Sequence, residues 1–264
     1  MRFYQVDAFT DRPFTGNPAA VCVSEDWLSD DIMLKVAVEN NLSETAFAVG
    51  KDGKYQLRWF TPGGEIDLCG HATLATGFTI LNHIEPGKDE VTFSTVSGEL
   101  SVKRDGDLYT IDFPLIRTGP YLNSGPIADA IGSEVIESAI GYRDPIALVG
   151  SAQEVMDLNP DMTKIKALPD GLGLFVTASG YDDYDFVSRA FWPKINIDED
   201  PVCGSMHCSL ADYWSKRLGK TKMKARQVSP RGGTLFLEIV GDRVRISGAA
   251  VLFAVFDVDD DILS

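Results

Sequence analysis

Positive charge is scarce in this chain. Its 24 Lys and Arg are outnumbered by 39 Asp and Glu, giving a formal net charge of −15. No basic run offers a stripe to a polyanion, so no nucleic-acid partner is expected. Long hydrophobic runs are missing too. The longest, Ile246–Phe256 ("ISGAAVLFAVF"), is too short to span a bilayer and is interrupted by Ser and Gly, so no membrane partner is expected either. The opening "MRFYQVDAFT" has no apolar stretch of the secretory type. Cysteine is limited to Cys22, Cys69, Cys203 and Cys208, which without an export signal are expected as thiols rather than a disulfide framework. A cytoplasmic protein is the expectation. No Rossmann glycine pattern appears. The "GKT" at 219–221 follows a helical run, with Trp214 where a phosphate loop would need its first glycine.

What is present is mainly period-2 apolar patterning. "RFYQVDAF", "AAVCV", "TAFAV", "YQLRWF", "VTFSTV", "ELSVKR" and "DLYTIDF" predict strands in the first half. "IALVG", "GLFVTAS", "YDFVSRAF", "ARQVS", "TLFLEIV", "DRVRIS" and "AAVLFAVFDV" predict strands in the second. In "VKRDGDLYTIDF" the Asp-Gly pair supplies the positive φ that a tight hairpin needs. Helices are fewer. "SDDIMLKVAVENN" has Ser29 placed as N-cap, two acids in its first turn, and Ile32, Val36 and Leu42, with Leu34 and Val38 nearby, spaced as an apolar face. "CGHATLATGFTILNHI" and "CGSMHCSLADYWSKRL" are clear helical runs, and "GPIADAIG" and "SAQEVMDL" predict short ones. Cys22 reads as core and His83 as a surface-loop residue.

The two long helical runs share an approach. "RWFTP" (Arg58–Pro62) precedes the first Cys-Gly and "RAFWP" (Arg189–Pro193) the second, at an offset of 131 from arginine to arginine and of 134 from Cys69 to Cys203. This is the mark of an internal repeat, two α/β lobes of similar build. The Pro- and Gly-rich "PLIRTGPYLNSGP" (114–126) places the boundary, giving lobes at 1–116 and 117–264, with the last strand able to join the first lobe. A helix start offers unpaired N–H groups and partial positive charge, and glycine after the cysteine lets a ligand approach. A small carboxylate held between residues 69–72 and 203–206 is the expectation. In "NNLSETAFAV", Glu44 stands where a helix ends and an apolar strand begins; partial desolvation beside Ala46 and Phe47 suits it to proton transfer, although an exposed turn glutamate fits the same pattern. Cys69, His71, Cys203 and His207 are of metal-ligating type. The Cys-x-His spacing is nevertheless tight for one ion and the second pair has no familiar spacing, so no metal is expected.

Four separated stretches, "DAFTDRPFTGNPAAV" (7–21), "NLSETAFAV" (41–49), "RWFTPGGEIDLCGHATLA" (58–75) and "DEDPVCGSMHCSLADYW" (198–214), resemble the phenazine-biosynthesis PhzF-like family in order and spacing. That family belongs with diaminopimelate epimerase and proline racemase. The resemblance implies an α/β (α+β) fold of two pseudo-symmetric lobes, each a curled, mostly antiparallel sheet around a central helix. It implies an isomerase that moves a proton at carbon on a small carboxylate-bearing metabolite, without a cofactor, in a cleft between the lobes; a homodimer is compatible with it. Position by position, it makes Glu44 the acid/base group, His71 a proton-handling contact, and Asp200 and Ser205 residues that shape the site. Asn17 and Pro18 would line the site, as would Cys69, Gly70 and Ala72 at the first turn and Cys203, Gly204 and Met206 at the second. One departure stands out: the founding phenazine enzymes have threonine where this chain has Cys203. Cysteines thus occupy both positions at which the epimerases keep catalytic thiols. A two-thiol racemase or epimerase using Cys69 and Cys203 is therefore the alternative enzyme, and a binding or regulatory protein on the same fold the alternative class.

Overall fold

The structure is a computed structural model that describes residues 1–259 and 261. None of its described helices is long and apolar enough to cross a membrane. The chain divides into two compact units, Met1–Asp112 with the residues from Ser247 onward, and Phe113–Ile246. The Pro/Gly-rich stretch suggests a boundary at 116/117 and a second lobe running to 264, with the last strand able to join the first lobe; the last residues lie outside the described set. The structure instead changes unit at 112/113 and returns to the first unit after Ile246. The reason is pairing: the final strand, Ala250–Asp257, lies antiparallel against Arg2–Ala8, with Arg2 opposite Asp257.

The first unit contains β1 (Arg2–Ala8), β2 (Asn17–Ser24), α1 (Asp30–Asn40), β3 (Glu44–Lys51), β4 (Lys54–Thr61), β5 (Gly64–Ile66), α2 (Gly70–Thr79), a π-helical turn Ile80–Ile84, β6 (Glu90–Thr95), β7 (Gly98–Asp105) and β8 (Leu108–Pro114), the last entered before the unit ends. Its strands run final strand, β1, β2, β3, β4, β6, β7, β8 across the sheet. Only β2–β3 and β4–β6 are parallel. The Asp52-Gly53 loop between β3 and β4 has φ of +56° and +76°, the type I′ geometry that matches strand twist. Ser29 caps α1 by accepting the Ile32 N–H at 3.3 Å.

The second unit contains β9 (Thr118–Pro120), α3 (Ser124–Ile131), β10 (Glu137–Gly141), β11 (Asp144–Leu148), α4 (Ala152–Asp157), α5 (Met162–Lys166), β12 (Leu174–Ser179), β13 (Phe186–Trp192), β14 (Ile197–Asp200), α6 (Gly204–Leu218), β15 (Lys222–Gln227), β16 (Gly233–Val240) and most of β17 (Arg243–Gly248); the final strand of the first unit is β18. Here β9 through β13, then β15 and β16, form the ladder, and only β11–β12 and β13–β15 are parallel. The order of parallel and antiparallel steps is the same as in the first unit. The internal repeat read from the R-x-F-x-P and Cys-Gly stretches is therefore a repeat of topology.

The arginines explain why those two stretches travel together. Arg58 on β4 forms a two-pronged contact with Glu65, at 2.6 and 2.7 Å, and Arg189 on β13 does the same with Glu199, at 2.7 and 2.8 Å. Each guanidinium also lies over the phenylalanine two residues on, 5.1 Å above Phe60 and 5.0 Å above Phe191. Each glutamate stands four residues before its cysteine, so the fork fixes the chain as it enters the helix.

In each unit one helix is sealed against the sheet. Residues His71–Gly77 of α2 and Met206–Trp214 of α6 are buried. The opposite sheet face is covered by α1 in the first unit and by α3–α5 in the second. The spacing in α1 points to Ile32, Val36 and Leu42 as the apolar face, whereas Met33 and Ala37 are the residues buried and Val38 is 51% exposed. The phase is shifted by one position because Met33 and Ala37 dock against Phe3 and Phe47, which outweighs the count of branched residues. His83, expected in a loop, is an exposed residue of the π-helical turn, stacked on Tyr4 with ring centroids 5.5 Å apart.

Close approach makes one glycine in α2 indispensable. A Cβ at Gly77 would lie 2.4 Å from Cγ1 and 2.5 Å from Cβ of the buried Val102 on β7. Gly77→Ala should destabilise the protein by about 1–3 kcal/mol, the usual cost of overpacking, despite the better helix propensity of alanine. Urea denaturation checks this; a stabilised variant would show that α2 and β7 separate freely.

Candidate active site

Two elements of the first unit converge on a buried polar group. Glu44 is the first residue of β3 and pairs in register with Ala19 of β2, whose first residue is Asn17. Opposite them α2 begins, with Cys69 as its N-cap in extended backbone (φ −143°, ψ 115°) and no side-chain cap. The Cys69 carbonyl is taken by the Thr73 N–H at 3.2 Å and by the Thr73 hydroxyl, so the first turn is locked. That turn presents His71. Its Nε2 lies 2.9 Å from Oε2 of Glu44, and its Nδ1 lies 3.1 Å from the Asn17 side-chain amide and 3.5 Å from Cys69 Sγ. All four side chains are buried, Asn17 completely, His71 at 4% and Glu44 and Cys69 at 7% exposure. Pro18 and Gly70 are half-buried beside them and Ala72 is buried.

Burial opposes charge on the imidazole, but the anionic character of Cys69 and Glu44 on either side outweighs it and holds His71 well above the usual histidine range. Burial first, and the Glu44 charge second, push the Cys69 thiol up, against the opposing influence of His71. The Asn17 amide can present its nitrogen or, after a half-turn, its oxygen to Nδ1, so it can serve either state of the ring.

Glu44, Cys69 and His71 have ligand atoms within 4.8 Å of one another, the arrangement that invites a metal. Glu44 lies nearest Nε2 of the imidazole and Cys69 nearest Nδ1. The 2.9 Å separation from Glu44 is within ion-pair distance.

In the second unit the Asp200–Cys203 turn leads into α6. Asp200 is half-buried and accepts the Val202 N–H at 3.2 Å, while Cys203, Gly204 and Met206 are buried. Ser205 is exposed, with its hydroxyl 3.3 Å from Cys203 Sγ. Burial, then the Asp200 charge, push the Cys203 thiol well up. His207, first read as a ligand type, is committed elsewhere. It is completely buried, and its Nδ1 lies 2.7 Å from the Cys203 carbonyl, to which it donates. Burial lowers it to about 4, so the ring is neutral. Gln227, on β15, was not singled out by motif. Its side chain accepts the Cys203 N–H at 2.8 Å and donates to the Asp200 carbonyl at 2.6 Å. Its signal in the sequence is a polar residue on the apolar phase of a period-2 strand, after Met223 and Ala225, where a buried amide must find partners.

This architecture is shared. The structure of a probable proline racemase from Agrobacterium radiobacter, 11% identical, aligns with a TM-score of 0.62 over 98% of this chain and 92% of that one, which shows the epimerase-like fold. Much nearer is the crystal structure of a phenazine biosynthesis protein of the PhzF family from Enterococcus faecalis, with a TM-score of 0.93, 47% identity, and coverage of 96% of this chain and 97% of that one. A protein named an uncharacterized isomerase from Pseudomonas aeruginosa is 47% identical over 253 residues, covering 96% of both chains. The model of the phenazine biosynthesis-like protein family matches residues 6–255. This chain belongs to that family.

Two outcomes follow from the titrating groups. Cys22 and Cys208 are pushed up to about 12 by burial, and Cys69 and Cys203 are raised too, so all four thiols should alkylate slowly at pH 7; peptide-mapped labelling that finds Cys69 and Cys203 fast would contradict this. For His207 the folded state prefers the neutral ring. Its contribution is present above pH 6.5 and is lost as pH falls toward 4, on the order of 3 kcal/mol in all. The stability advantage of wild type over His207→Gln, measured by urea denaturation, should therefore shrink between pH 6.5 and 4.

Proposed function

We propose that this protein is a PhzF-like isomerase that removes a proton from one carbon of a small carboxylate-bearing metabolite and returns a proton at carbon. Glu44 is the base. The observation that carries this reading is the buried 2.9 Å contact between Glu44 and His71, with each side chain on a rigid element. Glu44 takes the proton, and the electron pair of the C–H bond moves toward the substrate carboxylate. The imidazolium of His71 faces the developing negative charge and can return a proton. The N–H groups at the start of α2 suit the substrate carboxylate. Proton transfer between carbons is redox-neutral, so a base and an acid suffice without a cofactor.

The two-thiol reading asks both cysteines to ionise readily. Burial and a nearby carboxylate oppose that at Cys69 and at Cys203, which favours Glu44. Glu44→Gln keeps size and polarity but removes the base, and should cost at least about 10²-fold in turnover, while Cys203→Ser should be mild. Deuterium incorporation from heavy water into a metabolite mixture reads turnover without knowledge of the substrate. Equal and complete loss in Cys203→Ser would favour the two-thiol enzyme; no incorporation by wild type would favour a binding protein.

A further inference from the structure

Nearly every backbone polar group of the Asp200–Cys203 turn is answered by a side chain, and we infer that Gln227 is the positioning residue that sets this turn. Gln227 ends β15, opposite Ser188 in the parallel register with β13, and is completely buried. Its Oε1 accepts from the Cys203 N–H and its Nε2 donates to the Asp200 carbonyl, so one primary amide joins the two ends of the turn. The other groups are held by neighbours. The Ser229 hydroxyl donates to the Pro201 carbonyl at 2.7 Å and accepts the Gly232 N–H at 3.0 Å. His207 takes the Cys203 carbonyl, and the Asp200 carboxylate takes the Val202 N–H.

This arrangement needs an amide. Leucine offers neither donor nor acceptor, and a glutamate carboxylate only accepts, so it would face the Asp200 carbonyl with a lone pair. Protonated glutamic acid, by contrast, accepts with its carbonyl and donates with its O–H, and reproduces both bonds. Two consequences follow. The Cys203 N–H is spent inside the protein, so a ligand at the start of α6 meets donors only from Gly204 onward. The Cys203 thiol is also fixed against Ser205 and near Asp200 rather than free to turn outward. The bearing of this on turnover rests on the proposed isomerase reading; the bearing on the thiol does not.

The test is the rate at which Cys203 reacts with a dipyridyl disulfide, read by peptide mapping on the full chain between pH 5 and 8.5. Rates are expressed as the ratio of variant to wild type at each pH. This ratio removes the pH dependence of the reagent itself; the titratable groups facing residue 227 are Cys203, Asp200 and His207. In Gln227→Leu the ratio should reach at least about tenfold at every pH, with Cys22 in the first unit unchanged. In Gln227→Glu it should be near one at the acid end and rise as the new carboxyl ionises, a pH step that a merely structural role would not produce. A flat ratio in Gln227→Glu, or a Gln227→Leu ratio within twofold of one, overturns the inference. If Gln227→Leu fails to fold, the Gln227→Glu profile decides alone. Labelling needs no turnover, so a failure of Glu44 as the base would leave these ratios untouched.

Discussion

A carboxylate and an imidazole in contact, with water excluded, can persist only if they are paired and held. Glu44 and His71 meet that condition at 2.9 Å with less than a tenth of either exposed. Removing either partner would leave an uncompensated buried charge, which is far more costly than breaking a surface pair. The surroundings follow from this constraint. The carboxylate is fixed at the mouth of a parallel strand pair, the imidazole by a first helical turn whose opening carbonyl is doubly bonded, and that turn by an arginine fork four residues upstream.

The second unit reuses the frame and changes the chemistry. Arg189, Glu199 and Cys203 repeat Arg58, Glu65 and Cys69, and the paired strands step through the same sequence of directions. Two residues past the cysteine, however, the first unit has His71 and the second Ser205. Where β3 opens on Glu44, β12 opens on Leu174 and Phe175. The paired carboxylate and imidazole therefore belong to the first unit. Such asymmetry suits a base and a charged partner acting together better than two equivalent thiols acting in turn, one from each repeat.

Much of this was legible in the sequence. The Asp-Gly turns, the Ser29 cap and the two Cys-Gly helix starts follow from local chemistry that tertiary packing does not override. The repeat was visible because Arg, Phe and the following proline recur at one spacing ahead of each Cys-Gly, and the Arg of each set builds the fork. Other features depended on contacts distant in the chain. Met33 and Ala37 face inward because of Phe3 and Phe47, and β18 joins the first unit because its register fits β1; no window around either segment contains that information. Short strands such as β9 and β14 carry too few residues for a period. Gln227 had a signal, a polar side chain on a buried phase, but its partners lie 24 and 27 residues away.

The chain has three histidines, and the account puts them in separate regimes: His207 lowered to about 4 by burial, His83 lowered by partial burial, and His71 raised well above the ordinary range. Nitrogen NMR of the imidazole rings across pH, on wild type and Glu44→Gln, is therefore the most direct test of the buried ion pair. The account predicts that His71 remains imidazolium above pH 7 in wild type and that removing the Glu44 charge lowers its titration point. A neutral His71 at pH 6 in wild type, or one whose titration ignores the Glu44 substitution, would contradict it.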